Sequence, residues 1–168
     1  MRQTRANDLK AAARARRHGM HHALKIAQEA RREGIAYDLA YALVEQETTT
    51  GRNVFGHDPT IFAGAGRVTK SKYLRYRFAR RGSGNKLMQG VGLTQLTWWA
   101  FQDEADQMGG CWKPRIQVRL AFRHLRRLIR AHGTPDALRA YNGSGPAAVA
   151  YSKSVQKRRA AWHRRLNP

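Results

Sequence analysis

The apolar residues between Pro114 and about residue 132 recur every three or four positions, which is the spacing of one face of an α-helix. Arginines fill the opposite face, so this segment predicts a strongly amphipathic helix with one buried side. Glycine and proline divide much of the remaining chain into segments of helical length. We therefore expect a mainly α-helical protein of the α+β class, with a small β-hairpin between residues 52 and 90. The apolar face consists of Val118, Phe122, Leu125, Leu128 and Ile129.

The other predicted helices cover residues 8–33 with an interruption near Gly19, residues 37–48 and residues 94–108. Gly34 is expected to end the first of them. Thr134 is expected to cap a short helix that ends at 141–143, and a last helix opens at 145–146. We expect one domain overall: a basic N-terminal helical segment, 1–35, packed on a main part of residues 36–168.

A glutamate lies among apolar residues in the segment 37–48. A helix advances roughly 100° per residue, so Glu47 falls within the arc of Ala40, Leu43 and Val44, while Glu45 points to the other side. An unpaired carboxylate in such a place costs several kcal/mol, so Glu47 must be paired, hydrogen-bonded or functional. If its surroundings raise its pKa, it can donate a proton near neutral pH. Glu45 is expected to be a solvated surface charge.

The chain has 32 Lys and Arg against 11 Asp and Glu, a net charge of +21. This charge predicts attraction to a polyanion, which could be nucleic acid, an anionic membrane or an acidic cell wall. No apolar run is long enough for a transmembrane helix, and no secretory signal opens the chain. Cys111 is the single cysteine. We expect no cofactor and no metal site, because no acid or cysteine completes the histidines at 18, 21 and 22.

Three motifs follow one another along the chain: Gln46-Glu-Thr48, Gly90-Val-Gly-Leu-Thr-Gln-Leu96 and Ala140-Tyr-Asn-Gly-Ser-Gly145. Over residues 36–160 their order and separation resemble the lysozyme-like superfamily of soluble lytic transglycosylases and goose-type lysozymes. The stretches 54–58, 95–99 and 109–112 are similar to peptidoglycan-cleaving endolysins of phages that infect actinobacteria. The resemblance implies a lysozyme-like fold. Thr48 stands where the family has Ser, and Thr94 where it has Met.

The resemblance also implies roles for particular residues. Glu47 would protonate the glycosidic oxygen between N-acetylmuramic acid and N-acetylglucosamine. Asp58 would position or activate the attacking water, although Asp before Pro is also typical of a turn. Tyr141 would hydrogen-bond the acid, with Asn142 beside it in a turn.

Two further motif residues would contact the substrate. Gln95 would hydrogen-bond sugar groups, and Gly92 would permit close approach of a glycan strand. Of the two tryptophans that follow, Trp99 is expected in the core. Trp98 either stacks on a sugar ring or covers a neighbouring segment, and we favour the second.

The expected activity is that of a lysozyme that cleaves the β-1,4 bond of peptidoglycan. A lytic transglycosylase, which needs only Glu47 and leaves a 1,6-anhydro product, is the alternative within the same family. A second class is a basic nucleic-acid-binding protein, because residues 67–86 hold eight basic residues, no acids and three aromatic residues. A third is a membrane-disrupting cationic protein.

The expected partners are peptidoglycan glycan strands and, through basic patches, anionic wall polymers or a membrane surface; no dedicated nucleic-acid partner is expected. We expect a monomer made in the host cytoplasm that reaches the wall after holin-type release or from a virion.

Overall fold

The computed structural model describes residues 4–56 and 66–168. In these ranges the protein is mainly α-helical, as predicted. The β part is limited to the isolated antiparallel bridges Val54–Arg67, Phe55–Val91 and Val91–Leu96. The eight helices are α1 (Arg5–Arg17), α2 (Ala23–Glu33), α3 (Tyr37–Thr48), α4 (Lys70–Gly82), α5 (Trp99–Gln107), α6 (Pro114–His132), α7 (Thr134–Asn142) and α8 (Gly145–Leu166).

Most helix ends lie where the sequence places them. Helix α2 stops at Gly34, whose φ of 68° is left-handed, and α6 begins at Pro114 and stops before Gly133. The predicted cap of α7 is wrong by one residue. Gly133 holds the N-cap position, and Thr134 is already helical.

Helix α4 was not predicted, and the hairpin expected between 52 and 90 is replaced by this helix and single bridges in the described part. Thr69 caps α4 by accepting a hydrogen bond from the Lys72 amide at 3.3 Å. The buried face of α4 consists of Tyr73, Tyr76 and Arg80. All three side chains carry polar atoms, so a search for apolar residues at helical spacing does not detect this buried face.

Two hydrophobic clusters build the described part of the protein, and α6 contributes to both. Val118 and Phe122 of α6 lie in a large cluster with side chains of α1, α2, α3, α7 and α8. Ile116 and Leu120 lie on another face of α6 and join a smaller cluster with α4, α5 and the loop before α5. Tyr141 packs against both clusters, which places the end of α7 between them.

Helix α3 is buried on all sides, since residues 39–44 are all buried. The prediction that Glu45 is solvated is therefore wrong. Its carboxylate pairs with Arg158 and Arg165 of α8, each at 3.2 Å. Helices α1 and α2 also contribute to the large cluster that contains α3.

Helix α5 begins at Trp99, five residues later than predicted, because residues 91–96 form a turn closed by the Val91–Leu96 bridge. Leu96 is thus outside the helix and does not share a helical face with Trp99. The prediction that Trp99 lies in the core is wrong. Trp99 is 38% exposed and Trp98 is 51% exposed. None of the helices in the described ranges has the length and hydropathy needed to cross a membrane.

Candidate active site

Two cavities lie beside the end of α3, and because Glu47 and Gln95 line both, we describe them as the two arms of one groove. One arm, a cavity of about 300 Å³, is called the aromatic arm because Trp98, Phe101 and Tyr141 line it. The other, a cavity of about 610 Å³, is called the Arg52 arm. Its further lining includes Thr48, Val54, Gly56 and Gly66. Glu47 therefore lies where the two arms meet.

Glu47 differs from every other described carboxylate in having no cationic partner among the described residues. Ten acidic residues lie in these ranges, and nine form an ion pair with arginine or histidine. A carboxylate in so basic a protein would ordinarily find such a partner. The paired acids are Asp8, Glu29, Glu33, Asp38, Glu45, Asp103, Glu104, Asp106 and Asp136.

Burial without a cation changes the acidity of Glu47. It raises the pKa of the carboxyl from the ordinary 4.5 to about 7, and a hydrogen bond from Tyr151 partly opposes the rise. The Tyr151 hydroxyl donates to Oε1 of Glu47. With Oε1 occupied, Oε2 is the oxygen left to carry the proton. At neutral pH the group is therefore divided between acid and carboxylate, as a proton donor needs to be.

The phenol that bonds Glu47 is Tyr151 of α8, and the prediction that Tyr141 makes this hydrogen bond is wrong. Tyr141 instead stacks on Tyr151, with ring centroids 6.4 Å apart and planes inclined by 20°. Burial and the nearby Glu47 carboxylate raise the pKa of both phenols. Tyr151 occupies the buried face of α8 together with Ala148, Ser152 and Val155, a helical spacing that could have identified it from sequence.

Thr48 and Gln95 hold the rim of the groove together. The Thr48 hydroxyl is 3.2 Å from the backbone oxygen of Leu93, which ties the end of α3 to the turn at 91–96. The Gln95 amide nitrogen donates to the oxygens of Gly92 at 2.7 Å and Val54 at 3.2 Å. Gln95 thus lines the groove, but its amide nitrogen is engaged by the backbone, and its Oε1 lies against Gly56 and Gly90, where an added Cβ would come within 2.5 Å of it.

Gly92 lies outside the linings of both arms, so the structure gives no support to a direct contact with a glycan strand. Its φ is +80°, and a Cβ at this position would lie 2.0 Å from the Gln117 side chain. Gln117 of α6 needs that space because its Oε1 accepts the Leu93 amide at 3.1 Å. Its Nε2 donates to the Cys111 oxygen at 2.7 Å. Gly92 therefore lets α6 hold the turn that forms one wall of the groove.

Asn142, another predicted residue, ends α7 and lines the aromatic arm. Trp98, which was expected to cover a neighbouring segment, also lines this arm. Asp58 lies outside the described residues. His124 of α6 was not predicted; it lines the same arm between Phe101 and Tyr141, with ring distances of 4.8 and 5.9 Å.

The basic segment 67–86 does not present the aromatic surface that nucleic-acid binding would need. Tyr73 and Tyr76 are fully buried, which leaves Phe78, 83% exposed, as the accessible ring of the segment. Arg80 is also buried, and it pairs with Asp103 at 2.6 Å. Part of this charge therefore stabilises the fold.

Within residues 4–56 and 66–168, no three His, Cys, Asp or Glu side chains are close enough together to hold a metal ion. The described groove offers a carboxyl that can exchange a proton, Glu47, beside hydrogen-bonding and aromatic groups. No protein-family model, no curated protein and no solved structure matches this chain.

Proposed function

We propose that this protein is a lysozyme-like glycosidase that cleaves the β-1,4 bond between N-acetylmuramic acid and N-acetylglucosamine in peptidoglycan. The observation that carries the proposal is the state of Glu47. It is a partly buried carboxyl with no described cationic partner and a pKa of about 7, and it lies where two arms of a groove meet. Peptidoglycan is proposed as the substrate because the ordered motifs around Glu47, Gly92 and Tyr141 resemble those of the lysozyme-like superfamily.

In the proposed reaction the glycan strand lies along the groove with the scissile bond at Glu47. Oε2 of Glu47 delivers its proton to the glycosidic oxygen, and positive charge develops on the ring that loses its leaving group. Tyr151 stabilises the carboxylate that remains, through its hydrogen bond to Oε1. In transglycosylation Glu47 recovers a proton from the attacking hydroxyl, whereas in hydrolysis with Asp58 as the base the water's proton goes to Asp58 and solvent reprotonates Glu47.

Hydrolysis and transglycosylation differ in that nucleophile. Hydrolysis uses water, for which Asp58 is our candidate base. Transglycosylation uses the C6 hydroxyl of the muramic acid itself and needs no second carboxylate. The closer resemblance to endolysins favours hydrolysis. Glu47 is the single acid among the described residues that line the groove, and Asp58 lies outside the described residues.

The positive charge would hold the enzyme on its substrate. Peptidoglycan carries carboxylates, and wall polymers carry phosphodiesters, so a protein of charge +21 is attracted to the wall as a whole. Exposed arginines of α6, such as Arg127 and Arg130, have no described acidic partner and are suited to this contact. A nucleic-acid-binding function is less well supported, because the aromatic rings Tyr73 and Tyr76 are buried.

The products of the reaction test the proposal. Purified peptidoglycan is incubated with the protein, and the released fragments are separated and weighed by mass spectrometry. We expect disaccharide–peptide fragments with a reducing N-acetylmuramic acid end. Fragments lighter by one water would identify the 1,6-anhydro product and a transglycosylase. Intact glycan strands, or cleavage within the peptide stems, would refute the glycosidase proposal.

A further inference from the structure

The two arms of the groove differ in charge. Apart from Glu47, none of the described residues that line the aromatic arm is an acid, a lysine or an arginine. The Arg52 arm has an exposed arginine in its lining, and Arg52 forms no ion pair with a described residue. This contrast is notable in a protein in which basic residues outnumber acidic ones almost three to one.

The aromatic arm combines an accessible ring with neutral polar groups. Trp98 is 51% exposed. The Phe101 ring contacts it edge to face, with the two ring centroids 5.2 Å apart. Burial and the nearby Arg127 lower the pKa of His124 below its ordinary value, which favours the neutral imidazole. A flat apolar surface with a few uncharged hydrogen-bonding groups suits a pyranose ring, whose faces are apolar and whose edge carries hydroxyls.

The proposed substrate has a matching asymmetry. One sugar of each pair carries only hydroxyls and an N-acetyl group, whereas the other carries a lactyl group with an acidic peptide. An anionic substituent would be attracted by Arg52, whereas none of the described residues that line the aromatic arm is a lysine or an arginine.

Resting on the proposed function, we infer that the aromatic arm binds the uncharged N-acetylglucosamine unit next to the scissile bond. Trp98 stacks on that ring, and the sugar that bears the anionic substituent lies in the Arg52 arm. Trp98 then determines affinity for the neutral unit, and Arg52 affinity for the charged one. The glycan strand therefore has one direction in the groove.

Binding measurements by calorimetry test this inference without requiring turnover. All proteins carry Glu47→Gln so that no ligand is cleaved. The ligands are chitotetraose, which is uncharged, and a tetrasaccharide of alternating N-acetylglucosamine and N-acetylmuramic acid with free lactyl carboxylates. The variants are Trp98→Ala, Arg52→Gln and the matched control Trp99→Ala, which removes the neighbouring exposed tryptophan that lies outside the described lining of either arm.

Trp98→Ala is expected to lower the affinity for both ligands by about tenfold, because the stacking surface is lost. Arg52→Gln is expected to lower only the affinity for the charged ligand, by about threefold to fivefold at low salt and not at all at high salt. Trp99→Ala should leave both affinities near those of the parent.

Equal loss of chitotetraose affinity in the Arg52→Gln and Trp98→Ala proteins would overturn the inference, as would unchanged affinity in the Trp98→Ala protein. Failure of the proposed function has a different signature. In that case peptidoglycan stays uncleaved by the wild type, while the Trp98-dependent binding of chitotetraose can still be measured.

Discussion

Replacing Glu47 by glutamine is expected to abolish cleavage of peptidoglycan, with a rate at least about 10²- to 10⁴-fold below that of the wild type. Glutamine has nearly the same shape and can still accept the Tyr151 hydrogen bond, but it cannot deliver a proton to the glycosidic oxygen. The release of soluble fragments from purified walls measures the rate.

Glu45→Gln is the matched control on the same helix. Glu45 pairs with Arg158 and Arg165, so this variant should lose some thermal stability while each folded molecule keeps its activity. A Glu47→Gln protein that clears walls at the wild-type rate would contradict our assignment of the acid. Equal loss of activity in both variants would show that α3 is merely sensitive to substitution.

The stability of Glu47→Gln provides a check that its fold is intact. The pKa of Glu47 is about 7 in the folded protein against an ordinary 4.5, so folding favours the protonated form. The contribution of the protonated Glu47 carboxyl to the free energy of unfolding is fully present below about pH 4.5 and is lost as the pH rises through about 7. The variant avoids burying this charge, so it should be more stable than the wild type at pH 9, by about 3 kcal/mol, and similar to it at pH 4.

Gly92→Ala is expected to destabilise the protein by about 3 kcal/mol or more, equivalent to about 6–12 °C in the unfolding temperature. The left-handed backbone at φ +80° costs about 1–2 kcal/mol for any residue with a Cβ. The new methyl group would also lie 2.0 Å from Gln117, and relieving such overpacking costs about 1–3 kcal/mol. Moving Gln117 would in turn leave the Leu93 amide without its partner.

Gly84→Ala separates the two contributions. Gly84 has a similar φ of +64°, but a Cβ there would meet no atom within 4 Å. This control should therefore lose only the backbone cost. Thermal unfolding of both variants makes the comparison, and equal losses at the two positions would show that the contact between Gly92 and Gln117 is unimportant.

The elements that sequence could predict are those whose buried face is mainly apolar. Helix α6 is the clearest case, because its side towards the core carries Val118, Phe122 and Leu125 and its other side carries arginines. Helix α4 was missed because its buried side consists of tyrosines and Arg80, and the buried Arg80 is held by Asn85 and by an ion pair with Asp103 on α5. Such a long-range pair cannot be inferred from local periodicity.

The site was predictable in its central residue but not in its supporting contacts. Glu47 stands out in sequence as a carboxylate among apolar neighbours, and the structure places it in a groove. Its hydrogen-bond partner is Tyr151, on a helix 104 residues further along the chain. Gly92 likewise depends on Gln117, which only the packing of α6 against the turn brings within reach.

The protonation of Glu47 is the centre of this account, and NMR titration of the protein with ¹³C-labelled glutamate carboxyl groups measures it directly. The Glu47 resonance is the one that disappears in Glu47→Gln, and we predict a midpoint near pH 7. Tyr151→Phe should move the midpoint upwards, because the lost hydrogen bond favours the carboxylate. A midpoint near the ordinary value of 4.5 would show a carboxylate that is ionised at neutral pH, and would contradict its role as the acid.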